Sequence, residues 1–179
     1  MQHISDAMKT RERFAWAAGV VAPQPGDHLL EIGCGAGLLV EQLSGRLAGG
    51  TLTAVDRSAA MIGQATRRNQ APVATGKVTF RQGDFLRVQL PRAAYDKVVA
   101  FNVNFFWQDA AQEMRLIKNL LPPRGLLFVF HQTPNGTDAR AAALIGDQLR
   151  RHSFLVQDLL HRHLPAAPPF CIIATPGPG

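Results

Sequence analysis

The spacing of apolar positions along this chain switches repeatedly between two periods. Phe14, Ala17, Ala18 and Val21 recur at i, i+3, i+4 and i+7, which marks one face of an N-terminal helix over residues 1–22. Pro23 and Pro25 stop the helical ladder. "HLLEIG", from His28, reads as a buried strand, and Ala36, Leu39, Val40, Leu43 and Leu47 return to a helical stripe closed by Gly49 and Gly50. "TLTAVD" is a second strand. Ser58 stands where an N-cap belongs, ahead of Met61, Ile62 and Ala65. "KVTFRQGD" alternates Val78 and Phe80 as a third strand, and "YDKVVAFNV" is a fourth. Ala110, Met114, Ile117 and Leu121 mark a helix that Pro122 and Pro123 end. "GLLFVF" shows no alternation, as expected of a strand covered on both faces.

Asp138 is placed to cap a further helix through Leu144, Ile145 and Leu149. "SFLVQDLL" and "PFCIIAT" read as two last strands with no helix between them, so an antiparallel pair at one edge is expected. The closing "PGPG", residues 176–179, is expected to be loose. Strand alternating with helix predicts an α/β fold: a Rossmann-like, doubly wound and mostly parallel sheet with helices on both faces. The 179 residues, 46% of them hydrophobic, suit a single domain over 1–179, without repeat or linker.

The formal net charge of +6 raises the question of a nucleic-acid partner. The basic residues are scattered, however. Their densest groups are Lys9, Arg11 and Arg13, the pair Arg67 and Arg68, and the pair Arg150 and Arg151. All fall on helix faces or ends, which reads as solvated surface and argues against a basic groove for RNA. No apolar run approaches the roughly 18–20 residues of a membrane span. "MQHISDAMKTRERF" has no apolar signal core. Cys34 and Cys171 sit in apolar contexts and read as reduced, buried thiols, so the expected location is the cytoplasm. No Cys or His spacing fits a metal.

Candidate chemistry begins at "LLEIGCGAGLL". Glu31 stands two residues before the first of three alternate glycines, Gly33, Gly35 and Gly37. A dinucleotide loop needs G-x-G-x-x-G. Counted from Gly33 the third glycine is replaced by Leu38, and counted from Gly35 by Val40. No G-K-[ST] follows, so a P-loop fails too. A carboxylate at Glu31 opposes a pyrophosphate and favours a cationic ligand. S-adenosyl-L-methionine fits, with a sulfonium, an ammonium and no phosphate. Asp56, ending the second strand, can accept from ribose hydroxyls. Asp84 in "QGDF" can accept from an adenine amine, with Phe85 against the base. In "FNVNFFW", Phe101 and Asn102 are read as facing the methionine end of the cofactor, and Asn104, Phe105 and Trp107 as nearer an acceptor.

Taken in order, these segments resemble a class I S-adenosylmethionine-dependent methyltransferase of the small-molecule branch. "LLEIGCGAGLL" is similar to that family's glycine motif, "AVDRSAAMIGQATRRN" to its second-strand acid and helix, "VTFRQGDF" to its adenine turn, and "YDKVVAFNVNFFW" and "LLPPRGLLFVF" to its fourth and fifth strands. The resemblance implies a seven-stranded sheet with an antiparallel last strand, and a helix 1–22 that closes over the pocket. It implies that Gly33, Gly35 and Gly37 cradle the cofactor, that Asp56 binds ribose and Asp84 adenine, and that Met61 packs on the adenine. Cys34, Arg57 and Gly83 belong to the same contact set. The [DN]-P-P-[YF] run of base-directed amino methyltransferases is replaced here by "NVNF", which turns the reading away from nucleic-acid bases.

The expected reaction is methyl transfer to an O, N or S atom of a small acceptor. Positioning carries much of such a displacement. His131, after the fifth strand, is the candidate base where a proton must leave. Two other readings stay open: an RNA-directed methyltransferase and a non-catalytic adenosylmethionine-binding domain. The apolar N-terminal helix also offers a face for a homodimer.

Overall fold

The computed structural model describes residues 2–107, 110–132, 139–162 and 169–178. Helix α1 runs Gln2–Val21, strand β1 His28–Ile32, α2 Leu38–Ser44, β2 Thr51–Asp56, α3 Ala59–Arg68, α4 Gln70–Ala74 and β3 Val78–Gln82. Then follow β4 Lys97–Phe101, a 3-10 turn Asn104–Trp107, α5 Ala111–Leu120, β5 Leu126–His131, α6 Ala139–Arg151, β6 Phe154–His161 and β7 Phe170–Pro176. The seven strands form one sheet in the order β3-β2-β1-β4-β5-β7-β6. All pairings are parallel except those of β7 with β5 and with β6. The edge pair expected from the missing crossover helix is therefore present, with β7 inserted between β5 and β6.

Period-two alternation sorts the strand residues onto two cores. Leu30, Ile32, Val98, Ala100, Leu127 and Val129 meet Met114, Ile117 and Leu120 of α5 and Ile145 and Leu149 of α6. Leu29, Leu52, Val99, Phe101, Phe128 and Phe130 meet Ala17, Ala18 and Val21 of α1 and Leu39, Val40 and Leu43 of α2. Every residue of β4 is buried, which accounts for its unbroken apolar run. Its exception, Lys97, is neutralised at the amino end of the sheet. Its ammonium reaches Asp27 at 2.8 Å and the Ala22 carbonyl at 2.9 Å, tying the chain after α1 to the sheet.

Three local expectations change. The helix after β1 ends at Ser44, and Leu47, buried all the same, lies beyond it. The short α4 was absent from the apolar pattern because it buries none of its residues. The tail is tied down further than expected: Pro176 belongs to β7, and the Gly177 amide donates to the Ser153 carbonyl at 2.8 Å. Asp138, the expected cap, lies outside the described residues.

The order of strands reverses direction at β1 and β4. From β1 the chain proceeds outward through β2 and β3, and from β4 through β5. In such sheets the crevice at the carboxyl ends of the two central strands is where ligands bind.

Candidate functional site

The loop leaving β1 is folded against the end of β2. The Gly33 and Cys34 amides both donate to the Val55 carbonyl, at 2.8 and 3.1 Å. The Gly35 amide donates to Asp56 Oδ2 at 2.8 Å, and the Ser58 amide donates to Asp56 Oδ1, also at 2.8 Å. Asp56 thus organises two turns at once, and each of its oxygens keeps a second lone pair for a ligand hydroxyl. Ser58 caps α3 as expected, accepting from the Met61 amide.

Gly35 and Gly37 serve different ends. Both have positive φ, 51° and 75°. A Cβ added at Gly35 would meet nothing within 4 Å, so its face is open to an approaching ligand. A Cβ at Gly37 would lie 2.7 Å from Asn69 Nδ2 and 2.9 Å from the Ala65 Cβ. Gly37 therefore lets the loop pack on α3.

A cleft of about 380 Å³ opens beside this loop, between the ends of β1, β2, β3 and β4. Of the residues singled out in the sequence, Gly33, Asp56, Arg57, Gly83, Asp84, Phe85, Asn102, Asn104 and Phe105 line it. Asp84 Oδ1 accepts from the Leu86 amide at 2.9 Å, which fixes the turn after β3. Phe85 and Phe105 stack at 6.2 Å with planes 11° apart, forming one aromatic wall. Asn102 holds φ at 52°, a strained value for a side-chain-bearing residue. Its amide clasps the chain after β5: Oδ1 accepts from the Gln132 amide at 2.8 Å, and Nδ2 donates to the Gln132 carbonyl at 3.3 Å.

Other candidates lie elsewhere. Phe101 is buried on the α1 side of the sheet, stacked on Phe130 at 5.5 Å and tilted against Phe14 at 5.0 Å. Alternation puts it on the face of Val99, away from the cleft. Met61 lies in the first turn of α3 and does not line the cleft. Cys34 is buried, and burial, then Glu31, then Asp56 push its thiol up, so it stays protonated and inert. His131 is 8% exposed at the last position of β5, with its ring 5.5 Å from that of Phe170 on β7, and it does not line the cleft either. Trp107 ends the 3-10 turn, and its side chain lies outside the described residues.

Glu113, in the first turn of α5, lines the cleft and was missed. The sequence showed α5 only through its apolar stripe, and nothing in that stripe turns the acid toward a ligand. With it, three carboxylates, Asp56, Asp84 and Glu113, face a single guanidinium, Arg57. Beneath the loop, Glu31 is 3% exposed with Oε2 buried and without a hydrogen bond. Burial first, and Asp56 second, push its carboxyl up to about 8. An acidic cleft with an unsatisfied carboxyl below it suits a cationic nucleoside and opposes a pyrophosphate. The residues present therefore fit adenosylmethionine.

Comparison with known proteins agrees. The family described as a methyltransferase domain matches residues 30–129. An uncharacterized methyltransferase of Bacillus subtilis, YdaC, is 32% identical over 69% of this chain and 66% of its own length. The nocamycin O-methyltransferase of Saccharothrix syringae is 31% identical over 59% of this chain and 38% of its own. Among solved structures, a SAM-dependent methyltransferase from Aquifex aeolicus superposes with a TM-score of 0.72 at 17% identity, over 92% of this chain and 88% of that one. The chain belongs to the class I S-adenosylmethionine-dependent methyltransferases. It spans less than two thirds of the length of the curated relatives named above.

Proposed function

We propose that the protein transfers a methyl group from S-adenosylmethionine to an O, N or S atom of a small-molecule acceptor. The observation that carries this reading is the charge of the cleft: Asp56, Asp84 and Glu113 against Arg57, with Glu31 beneath. When bound, the cofactor supplies a methyl carbon already activated by its sulfonium. The chain's own part is to bind, orient and keep out water. Asp56 and Asp84 offer acceptors to a ribose and an adenine amine, and the Phe85–Phe105 wall closes off solvent. Asn104 and Phe105, which line the cleft from the 3-10 turn after β4, are assigned to the acceptor. No step assigned here needs a base, since displacement at a sulfonium methyl requires one only where the nucleophile still carries its proton.

The nocamycin O-methyltransferase, a relative named for methylating oxygen, supports an oxygen acceptor. A cytoplasmic location is part of this proposal. No described helix is long and apolar enough to cross a membrane. The test is to incubate the purified protein with methyl-labelled adenosylmethionine and a panel of phenols, carboxylic acids, amines and thiols, with total RNA as a separate arm. Label in a small product supports the reading. Label in RNA alone, or cofactor binding without turnover on any member, refutes it.

A further inference from the structure

Strands β4 and β5 run side by side as far as Phe101 and Phe130, their last pair in register. One step on, the Asn102 amide still donates to the Phe130 carbonyl at 2.9 Å. There the backbone turns away at φ 52°, a left-handed value that asparagine takes more readily than most side chains. Its carboxamide then stands in for the departed strand. Oδ1 accepts from the Gln132 amide and Nδ2 donates to the Gln132 carbonyl, so the ladder runs one residue past the point where β4 leaves it. The Gln132 amide can only donate, which fixes the way the carboxamide points. A carboxylate would lack the donor, and an aliphatic side chain both groups.

The clasp ties together parts of the chain that are far apart in sequence. From Asn102 the turn carries Val103, Asn104 and Phe105 along the cleft. Val103 Cγ2 comes within 3.0 Å of where a Cβ on Gly33 would stand, so the turn packs directly on the loop leaving β1. On the other side, Gln132 Oε1 accepts from Arg13 Nη1 at 3.3 Å. Arg13 lies over the Phe14 and Phe101 rings, 4.8 and 5.7 Å from their centroids. It is a half-buried, braced cation and not the solvated surface charge that its sequence context suggested. Both Asn102 bonds lie at the exposed edge, where water competes for them. The turn they hold carries a backbone cost. Such an arrangement adds little to stability and much to position.

We propose that Asn102 is a positioning residue for methyl transfer. By gripping Gln132 it anchors the 3-10 turn, and with it Asn104 and Phe105, at a set distance from the glycine loop. This rests on the methyl-transfer reading and names the side chain that keeps the acceptor wall in register with the cofactor. Asn102 moves no proton in this role. It acts through Gln132 on one side and Val103 on the other. In-line displacement tolerates little error, since a misplacement of about 1 Å caused far from the reacting atoms costs on the order of 100-fold in rate. A side chain that joins the exits of β4 and β5 and presses the turn against the loop after β1 controls that alignment.

The test is Asn102→Gly in the purified full chain. Glycine adopts the left-handed turn freely, so the fold should stand while the clasp is lost. Amide hydrogen exchange at Gln132 should speed up at least about tenfold, which reports the lost bond. On the panel acceptor that the unaltered protein methylates fastest, kcat should fall roughly 10- to 100-fold, while KM and the affinity for S-adenosylhomocysteine stay within about threefold. Thermal melting checks folding. Where the glycine variant does not fold, Asn102→Asp replaces it, with the same expectation for kcat, because a carboxylate cannot donate to the Gln132 carbonyl. A smaller loss in kcat, or unchanged exchange at Gln132 in the glycine variant, overturns the proposal. So does an equal loss in affinity for S-adenosylhomocysteine, which marks Asn102 as a direct cofactor contact. If the unaltered protein methylates no member of the panel, the methyl-transfer reading itself fails, and the positioning role with it.

Discussion

The Gly35 amide donates to Asp56 Oδ2 at 2.8 Å, so the acid that ends β2 also holds the loop that leaves β1. Its other oxygen accepts from the Ser58 amide at the start of α3. Removing this carboxylate leaves two backbone donors unmet and removes the acceptor offered to a ribose. Asp56→Ala is expected to weaken S-adenosylhomocysteine by roughly 1–3 kcal/mol and to lower the melting temperature as well. Titration calorimetry and thermal melting measure the two losses separately. Equal affinity for the variant would remove Asp56 from the cofactor site.

The last two glycines of the loop, Gly35 and Gly37, should fail in opposite ways. Gly37→Ala forces a side chain into the left-handed region, at about 1–2 kcal/mol, and drives it into Ala65 and Asn69, at about 1–3 kcal/mol more. Stability should fall sharply while folded molecules bind cofactor normally. Gly35→Ala bears the backbone cost alone, because its Cβ points into open space. That open space is where the cofactor must approach, so Gly35→Ala should lose affinity out of proportion to stability. Denaturant midpoints set beside affinities for S-adenosylhomocysteine decide this. The same pattern in both variants would contradict the division of roles.

How far the sequence revealed this arrangement depended on whether a contact is local. β4 and β5 were plain as unbroken apolar runs, and α5 as a stripe ending at two prolines. Asp56, Gly83 and Asp84 were found because strand ends can be counted in the sequence, and the carboxyl ends of parallel strands meet at one edge. The packing role of Gly37 was not legible because its close neighbours, Ala65 and Asn69, belong to a helix whose docking the sequence does not display. Phe101 was expected beside Asn102, and period-two alternation sets its ring on the α1 side of the sheet. The burial of Arg13 was not legible either. Its partner Gln132 is 119 positions away, and the contact exists only once α1 docks on the sheet.

Glu31 makes both stability and binding depend on pH. Its carboxyl, pushed up to about 8 by burial and by Asp56, ionises near 4.5 in an unfolded chain. Between those values the folded state keeps a proton that the unfolded state has released. Stability therefore falls as pH rises through the window, by up to about 1.4 kcal/mol per pH unit, and the loss is complete above the folded value. Glu31→Gln removes the penalty, so the variant should melt above the unaltered protein at about pH 8 and lose that advantage at about pH 4. Affinity for S-adenosylhomocysteine should move the other way, rising from about pH 6 to about pH 8 as the ionised carboxylate meets the ligand's ammonium, and this rise should vanish in Glu31→Gln. Melting curves that stay parallel across that range would show that Glu31 ionises normally.

His131 closes β5, beside its antiparallel neighbour β7 in the sheet. It pairs in register with Phe170, and the two rings lie 5.5 Å apart with planes tilted by 52°. At 8% exposure the imidazole fills space at the edge of the core formed with α5 and α6. A side chain in that position is expected to matter first for packing. His131→Ala should lower stability by roughly 1–3 kcal/mol and leave the affinity for S-adenosylhomocysteine intact. Methyl transfer should slow by less than about tenfold, below the range that general-base catalysis contributes. The decisive measurement is kcat against pH for both proteins on one acceptor. If the variant folds, loses more than that in kcat, and also loses a rise with pH near neutrality that the unaltered protein shows, then His131 takes the acceptor's proton and its packing role is secondary.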